Sequence, residues 1–482
     1  MDRTTLAARL TGLAEETPDA AALTCGGVTV DRRELDRRGT ALAHAYADLG
    51  VRAGSLVTIA LPNGIEFVLA ALAAWKLGAT PQPLSYRLPA AELEAVVALA
   101  DPALVVGPAV PGRRHVPPGF TPPENHEPLP AVEPGPWKAP ASGGSTGRPK
   151  IIVAGEPAYA DVLAGVAALF GMTPGGTHLT AGPLYHNAPF MMAASALCTG
   201  NHVVVLPRFD AAEAVRTIEK HGVDWVFLVP TMMHRMWRLP GAERDAADLS
   251  SLRVVLHGAA PCPVWLKQAW IDWIGPERLH ELYASTEAQA GTLITGAEWL
   301  AHPGSVGKVA LGEIRVLDEE HRDVPVGETG EIWTRSAPGT PATYRYLGDT
   351  ATTLPGGWES QGDLGRFDAE GYLYLADRKP DMILVGGANV FPAEVEAALD
   401  EHPSVLSSCV IGLPDEDYGN VVHAVVQTDG PLDEVALLEH LKSRLAPYKL
   451  PRGFERVDEP LRDDAGKVRR AAVRAERLAA RR

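Results

Sequence analysis

The chain has 482 residues, 46% of them hydrophobic and 22% charged, so it can bury a large core and exceeds the size of one ordinary domain. Its formal charge of −16 argues against a general nucleic-acid binder, because polyanions are captured by clustered Lys and Arg. The 47 glycines and 41 prolines are too few and too irregularly spaced for collagen or a disordered linker protein, and fit a loop-rich enzyme.

The opening segment MDRTTLAARLTGLAEETPDA sets Asp2, Arg3, Glu15 and Glu16 where a signal peptide would need an apolar run. Cys25, Cys198, Cys262 and Cys409 are far apart and form no C-x-x-C pair, which disfavours a zinc ribbon or disulfide framework and fits a reducing, cytoplasmic setting. LVTIALP at 56–62 then precedes the helical pattern GIEFVLAALAAWKLG. From Val162 to Pro207 no Asp, Glu, Lys or Arg appears, yet glycines and prolines interrupt the run too often for a membrane helix, so it reads as buried core. HVVVLP at 202–207 precedes DAAEAVRTIEKHG, VDWVFLVP at 223–230 precedes TMMHRMWRL, and RVVLHG at 253–258 is a further strand candidate. Apolar strands followed by helices predict layered α/β architecture, with parallel sheets covered on both faces.

After about residue 300, GEIRVLDEE, GETGEIWTRS and GYLYLADR predict short strands in an antiparallel or β-barrel-like subdomain. Asp377-Arg378-Lys379-Pro380 reads as a boundary. Beyond it, PAEVEAALDEH, SSCVIGLP, NVVHAVVQ and DEVALLEHLKSRL predict a small α+β unit. The chain therefore divides into a large N-terminal domain, 1–376, and a small C-terminal domain, 377–482. The closing basic run from Lys467 through Arg482 reads, by itself, as a solvated helical tail.

The most informative segment is Ser142-Gly143-Gly144-Ser145-Thr146-Gly147-Arg148-Pro149-Lys150. Glycines let backbone N–H groups approach phosphate oxygens, hydroxyls add donors, and Lys150 adds charge. It is not a Walker A loop, since Arg148-Pro149 separates the last glycine from the lysine and Ile151 follows it. The segment resembles the phosphate-binding signature of the adenylate-forming superfamily, which includes acyl-CoA synthetases, peptide-synthetase adenylation domains and luciferases. In the family's order follow Tyr283-Ala284-Ser285-Thr286-Glu287, similar to Y-G-x-T-E, then Gln361-Gly362-Asp363, similar to T-G-D, and the hinge-like Asp377-Arg378-Lys379. GGANVFPAEVE at 386–396, LAPYKLPR at 445–452 and DDAGKVRR at 463–470 complete the match, which spans nearly the whole chain.

The resemblance implies a two-step reaction in which a carboxylate and ATP give an acyl-AMP, and a thiol then displaces AMP. It implies ATP and Mg²⁺ as cofactors and coenzyme A, or a carrier-protein thiol, as acceptor. By the same likeness Ser142 to Gly147 and Lys150 hold the β- and γ-phosphates, Thr286 contacts the α-phosphate, and Glu287 helps coordinate Mg²⁺. Gly258, Ala259, Ala260 and Pro261 line the adenine with Tyr283, Ala284 and Ser285, while Asp363 and Arg378 hold the ribose. Lys467 stands between the carboxylate and the α-phosphate, Asp377 is the hinge about which the resemblance makes the small domain mobile, and Gly386 and Gly387 approach the CoA pantetheine.

The acid pocket is expected from Pro183 to Met192 and from the segment with Met232 and Met233. His186 looks like the family histidine near the reacting carboxylate, with a gate or a structural histidine as alternatives; Asn187, Phe190 and Met191 follow it. Amino-acid-activating relatives bind the substrate ammonium with an Asp near this segment, and none stands here, which favours an uncharged hydrophobic acid: bulky alicyclic, polycyclic, aryl or medium-chain. Departures from the family pattern are Gly143 in a hydroxyl position, Ala284 for glycine, Gln361 for threonine and Asn420 for glutamate. The proline-rich stretch from Pro81 to Pro140 is short for the family and suggests an open pocket rim. A carrier-protein ligase and a non-catalytic ligand-binding relative are the competing readings; no nucleic-acid or membrane partner is expected, and a homodimer is left open.

Overall fold

The computed structural model, described over residues 3–143, 149–378, 381–463 and 466–480 (Ser142 and Gly143 by backbone alone), lays the apolar runs into two sheets. The larger has nine strands, running in space from Lys308–Leu311 through Gly291–Thr295, Leu279–Ala284, Val254–Gly258, Trp225–Leu228, Thr177–Thr180, His202–Val205 and Ala21–Cys25 to Val28–Asp31. Its six central strands are parallel and both flanks are antiparallel. The second is a parallel sheet of Thr80–Pro83, Leu56–Ile59, Leu104–Val106 and His115–Val116.

Crossover helices cover these strands, and their ends are written in the sequence. Asp210 accepts from the Glu213 backbone N–H to start the helix Ala211–His221, and Gly222, in the left-handed region at φ +59°, ends it. The uncharged run from Val162 to Pro207 splits in two. Its later part is core, whereas the helix Ala160–Leu169 buries only Leu163 and Ala167 and leaves Leu169 exposed. No helix among the described residues is long and apolar enough to cross a membrane.

The change of texture after residue 300 is a five-stranded antiparallel sheet of Glu313–Leu317, Gly330–Arg335, Trp358–Phe367, Thr352–Leu354 and Leu373–Arg378. The smaller C-terminal domain has its own core, with Val395, Leu399, Val410, Val422, Val426 and Leu441 between its helices and the sheet Val405–Asp415, Gly419–Thr428 and Gly453–Val457. The stretch 117–136 carries no regular structure. It runs along the helix Arg32–Asp48, where His44 Nε2 meets the Glu127 carbonyl at 2.9 Å.

One charged pair is sealed in the large domain. Lys267 and Glu281, 1% and 5% exposed, meet at 2.5 Å between the helix Val264–Ile274 and the strand Leu279–Ala284, which also carries Tyr283. Breaking such a pair strands a charge, whereas replacing both members leaves an apolar contact. Lys267→Met should lower stability by about 3–5 kcal/mol and Lys267→Met/Glu281→Leu should recover most of it. Urea unfolding followed by tryptophan fluorescence checks this, and a double variant as unstable as the single would contradict it.

Candidate active site

Strand pairing builds the first corner of the site from distant segments. Pro149–Ala154 pairs antiparallel with Tyr344–Leu347, which brings Lys150 to Tyr346. The Lys150 ammonium donates to the Tyr346 hydroxyl at 3.1 Å and stands 4.3 Å from its ring centroid. Glu287, only 4% exposed, accepts from the Tyr346 hydroxyl at 2.6 Å and lies 3.4 Å from the Lys150 ammonium, with Asp349 at 3.9 Å from the same cation. Burial first, and the hydrogen bond to Glu287 second, hold the Tyr346 hydroxyl far above the usual tyrosine range, so it remains a donor. The Glu287 carbonyl is fixed by the Thr343 hydroxyl at 2.7 Å, and a cleft of about 670 Å³ lined by Thr343, Tyr346, Asp349 and Glu359 opens beside this corner.

Backbone Ser142 and Gly143 lie opposite Lys150 and Pro149 on the neighbouring strand. Gly144, Ser145, Thr146 and Gly147 lie outside the described residues. Ser285 and Thr286 are half-buried in the turn before Glu287.

The second corner hangs on a close approach of two strands. A Cβ on Gly258 would stand 2.4 Å from the Leu282 carbonyl oxygen, so only glycine lets Val254–Gly258 end beside Leu279–Ala284. The chain then turns through Ala259 at φ +68°, Ala260 and Pro261, and Ala288, just past Glu287, sits at φ +54°. Non-glycine residues held there cost on the order of 1–3 kcal/mol and mark sites whose shape is enforced by their surroundings. Beside this turn the Tyr283 hydroxyl donates to Asp363 at 2.8 Å and Arg378 Nε donates to the other Asp363 oxygen at 3.2 Å. Burial and Asp363 raise the Tyr283 hydroxyl well above its ordinary value. Arg378 is largely exposed, so its pair with Asp363 is open to solvent on the arginine side.

At the third corner His186 precedes the helix Asn187–Cys198, half-buried, with its ring 4.6 Å from Tyr185, which in turn meets Tyr86 at 6.4 Å. Asn187 and Met191 are half-buried and Met232 is buried nearby. Phe190 departs from expectation: it is 3% exposed and packs among Phe67, Trp75 and Trp137, its face parallel to Trp137 within 6°. It props the helix from the core side because the next residue on a helix points about 100° away from its neighbour.

The segment 183–192 carries no charge, yet a cation stands against it. Lys138, 5% exposed, donates to the Asn187 side-chain oxygen. Sequence reasoning passed over it, along with Tyr346 and Asp349. The available signal was a lone lysine inside the apolar run Trp137-Lys138-Ala139-Pro140, just upstream of the glycine-rich loop.

The small domain meets the large one at the end of the strand Leu373–Arg378. Asp377 accepts from the Ala393 N–H at 2.9 Å, at the start of the helix Pro392–Asp400, and from the Arg378 N–H at 2.7 Å, while burial raises its carboxyl above the usual range. The Lys467 backbone N–H is held by Asp463 at 2.9 Å. Its side chain keeps contact with solvent, yet neighbouring protein atoms and then the Arg378 guanidinium lower its ammonium, while Asp463 and Glu287 pull the other way. Arg238, at the end of the helix Pro230–Trp237, donates to the carbonyls of His402 and Pro403 at 2.9 and 3.0 Å. Lys150, Glu287, Asp363, Arg378 and Lys467 thus share one electrostatic neighbourhood. Gly386 and Gly387 do not join it; they form a hairpin turn on the small domain, where the Gly386 N–H bonds to the Tyr418 carbonyl at 2.9 Å.

This arrangement has relatives. Residues 11–344 match the AMP-binding enzyme family and residues 394–467 match the AMP-binding enzyme C-terminal domain. A feruloyl-CoA synthase from Amycolatopsis sp is 33% identical over 484 residues, covering 96% of both chains. A fatty acid–[acyl-carrier-protein] ligase, ScoC, from Streptomyces coeruleorubidus is 29% identical, covering 96% of this chain and 94% of that protein. Among solved structures, o-succinylbenzoate CoA synthetase (MenE) from Bacillus subtilis in complex with the acyl-adenylate OSB-AMP superposes with a TM-score of 0.80 at 26% identity over 98% of each chain. The same enzyme in complex with ATP and magnesium gives 0.79, covering 96% of this chain and 98% of that one. The chain belongs to the AMP-binding enzyme family, the adenylate-forming acyl-CoA synthetases and ligases, and is an AMP-forming acid–thiol ligase.

Proposed function

We propose that this enzyme activates a hydrophobic carboxylic acid with ATP and passes the acyl group to the thiol of coenzyme A. The observation that carries the reading is the placement of Lys467: the residue before it, Gly466, lies against Thr231 of the large domain, and Glu287 in that domain and Arg378 at the boundary both act on its ammonium. In the first step a carboxylate oxygen attacks the α-phosphorus, the bond to pyrophosphate breaks, and acyl-AMP forms. Two anions must meet, so positioning and charge neutralisation dominate the barrier. Lys467 serves the joint between carboxylate and α-phosphate, with Thr286 beside it; Lys150 and the loop Ser142–Gly147 take the outer phosphates. Asp363 and Arg378 take the ribose, and Gly258–Pro261 with Tyr283, Ala284 and Ser285 frame the base.

Glu287 fits Mg²⁺ chemically, because it offers a buried hard oxygen whose neighbours are a hydroxyl and an ammonium rather than soft ligands. Among the described residues no three His, Cys, Asp or Glu side chains converge as a metal cage, which suits an ion that keeps phosphate and water ligands. When bound, Mg²⁺ supplies charge that offsets the phosphates.

In the second step the thiol sulfur attacks the acyl carbonyl, the carbon–oxygen bond to AMP breaks, and the thiol proton is released. Rotation of residues 377–482 about Asp377 takes Lys467 away and brings the Gly386-Gly387 turn to the thiol. Small residues at Ala188, Ala193 and Ala194 and the methionines Met191 and Met232 support a bulky apolar acyl group. The similarity to a carrier-protein ligase supports a second reading, in which the acceptor is a carrier thiol. The low cysteine count and lack of clustered pairs support a cytoplasmic setting.

Mass spectrometry of acyl-AMP, AMP and acyl-CoA from ATP, Mg²⁺ and a panel of hydrophobic acids tests the reading: acyl-CoA that appears only with CoA supports it, and acyl-AMP that persists with CoA present favours the carrier acceptor. Lys467→Ala should cut acyl-AMP formation by about 10²–10³ and spare thioester formation from supplied acyl-AMP; equal loss in both assays would refute its role. Glu287→Gln should lower the adenylation rate by a similar factor and weaken its Mg²⁺ dependence, read from rates across a metal titration.

A further inference from the structure

We propose that Lys138 is a second cation for the acid, fixed in the large domain, which holds the acid's carboxylate at the first turn of the helix Asn187–Cys198. This rests on the adenylating reading above and names a residue that reading does not use. Lys138 is 5% exposed, and its backbone is clamped on both sides: its carbonyl accepts from the Ala154 N–H at 3.0 Å, and the next residue's N–H donates to the Pro81 carbonyl at 3.0 Å. Its side chain runs over the Trp137 ring, with the ammonium 4.4 Å from the centroid, and Trp137 stacks on Phe190 of the same helix. The ammonium therefore has one place to go, the start of that helix, where it donates to the Asn187 side-chain oxygen.

Among the described residues, that neutral oxygen and the indole ring are the close partners of Lys138. An ammonium has three donors, so two are left for a ligand. Glu287 acts on it only from farther away, and burial pulls the ammonium down to about 7. A buried charge that meets no contacting counter-ion is destabilising, and such groups concentrate where a substrate supplies the missing partner. Asn187 is half-buried beside His186, and the opening N–H groups of a twelve-residue helix add a partial positive charge at the same place. An acid's carboxylate fits all three features.

The consequence is a division of labour. Lys467 arrives and leaves with the small domain, whereas Lys138 stays with the acid throughout; the first should set the rate of adenylation and the second the affinity for the carboxylate.

Wild type, Lys138→Met and Lys138→Arg are compared by pyrophosphate release with the acid that gives most acyl-AMP. Lys138→Met should raise KM for the acid about tenfold or more, keep kcat within about threefold, leave KM for ATP unchanged, and melt no lower than wild type, with Lys138→Arg intermediate. The primary alcohol of the same acyl group should inhibit wild type and Lys138→Met with Ki values within about twofold, since it carries no charge. An unchanged acid KM, an alcohol Ki that rises as far as the acid KM, or a lowered melting point with loss of both constants would overturn the assignment. If wild type forms no acyl-AMP from any acid, the adenylating reading falls and this one with it.

Discussion

A buried carboxylate, Glu287, held between the Tyr346 hydroxyl and the Lys150 ammonium, fixes the frame in which the other cleft groups stand. It follows directly from the strand Leu279–Ala284, whose own place is set by parallel pairing with Val254–Gly258 and antiparallel pairing with Gly291–Thr295. Its two partners come from a different sheet, where Pro149–Ala154 lies along Tyr344–Leu347. These three strand pairings, in two separate sheets, must all be correct for the corner to exist, so a slip of one residue in either sheet would turn its side chains to the opposite face. The site is therefore assembled by backbone register in the large domain before any side-chain preference operates.

The small domain adds to that frame through few contacts. Asp377 ties the end of one domain to the first turn of a helix in the other through the Ala393 N–H. Arg378 reaches back to Asp363, and Arg238 reaches forward to two carbonyls at 402 and 403. These are polar, partly hydrated contacts, worth little each.

The strands, the smaller C-terminal domain and the family motifs are legible in the sequence because each depends on local chemistry: continuous apolar runs, glycines where backbones must touch, hydroxyls and charges at fixed spacing. What escapes is what depends on direction. The helix Asn187–Cys198 is buried nearly all round, so no periodicity tells Phe190, which faces the core, from Met191, which is half-buried. Tyr346 meets Lys150 across 196 residues of chain, and nothing local to either announces the other. Lys138 is visible only as an oddity, a charge in an apolar run, until the fold sets it against Asn187.

Gly466, one residue before Lys467, carries a consequence out of proportion to its size. It sits at φ +75° against Thr231 on the helix Pro230–Trp237, where a Cβ would stand 2.5 Å from the Thr231 hydroxyl oxygen. Any side chain there would act as a wedge between the two domains while leaving both domain cores untouched. The absence of a single carbon atom thus works as a clearance, and it makes the closeness of the two domains beside Lys467 depend on steric fit at one backbone position rather than on the strength of any bond.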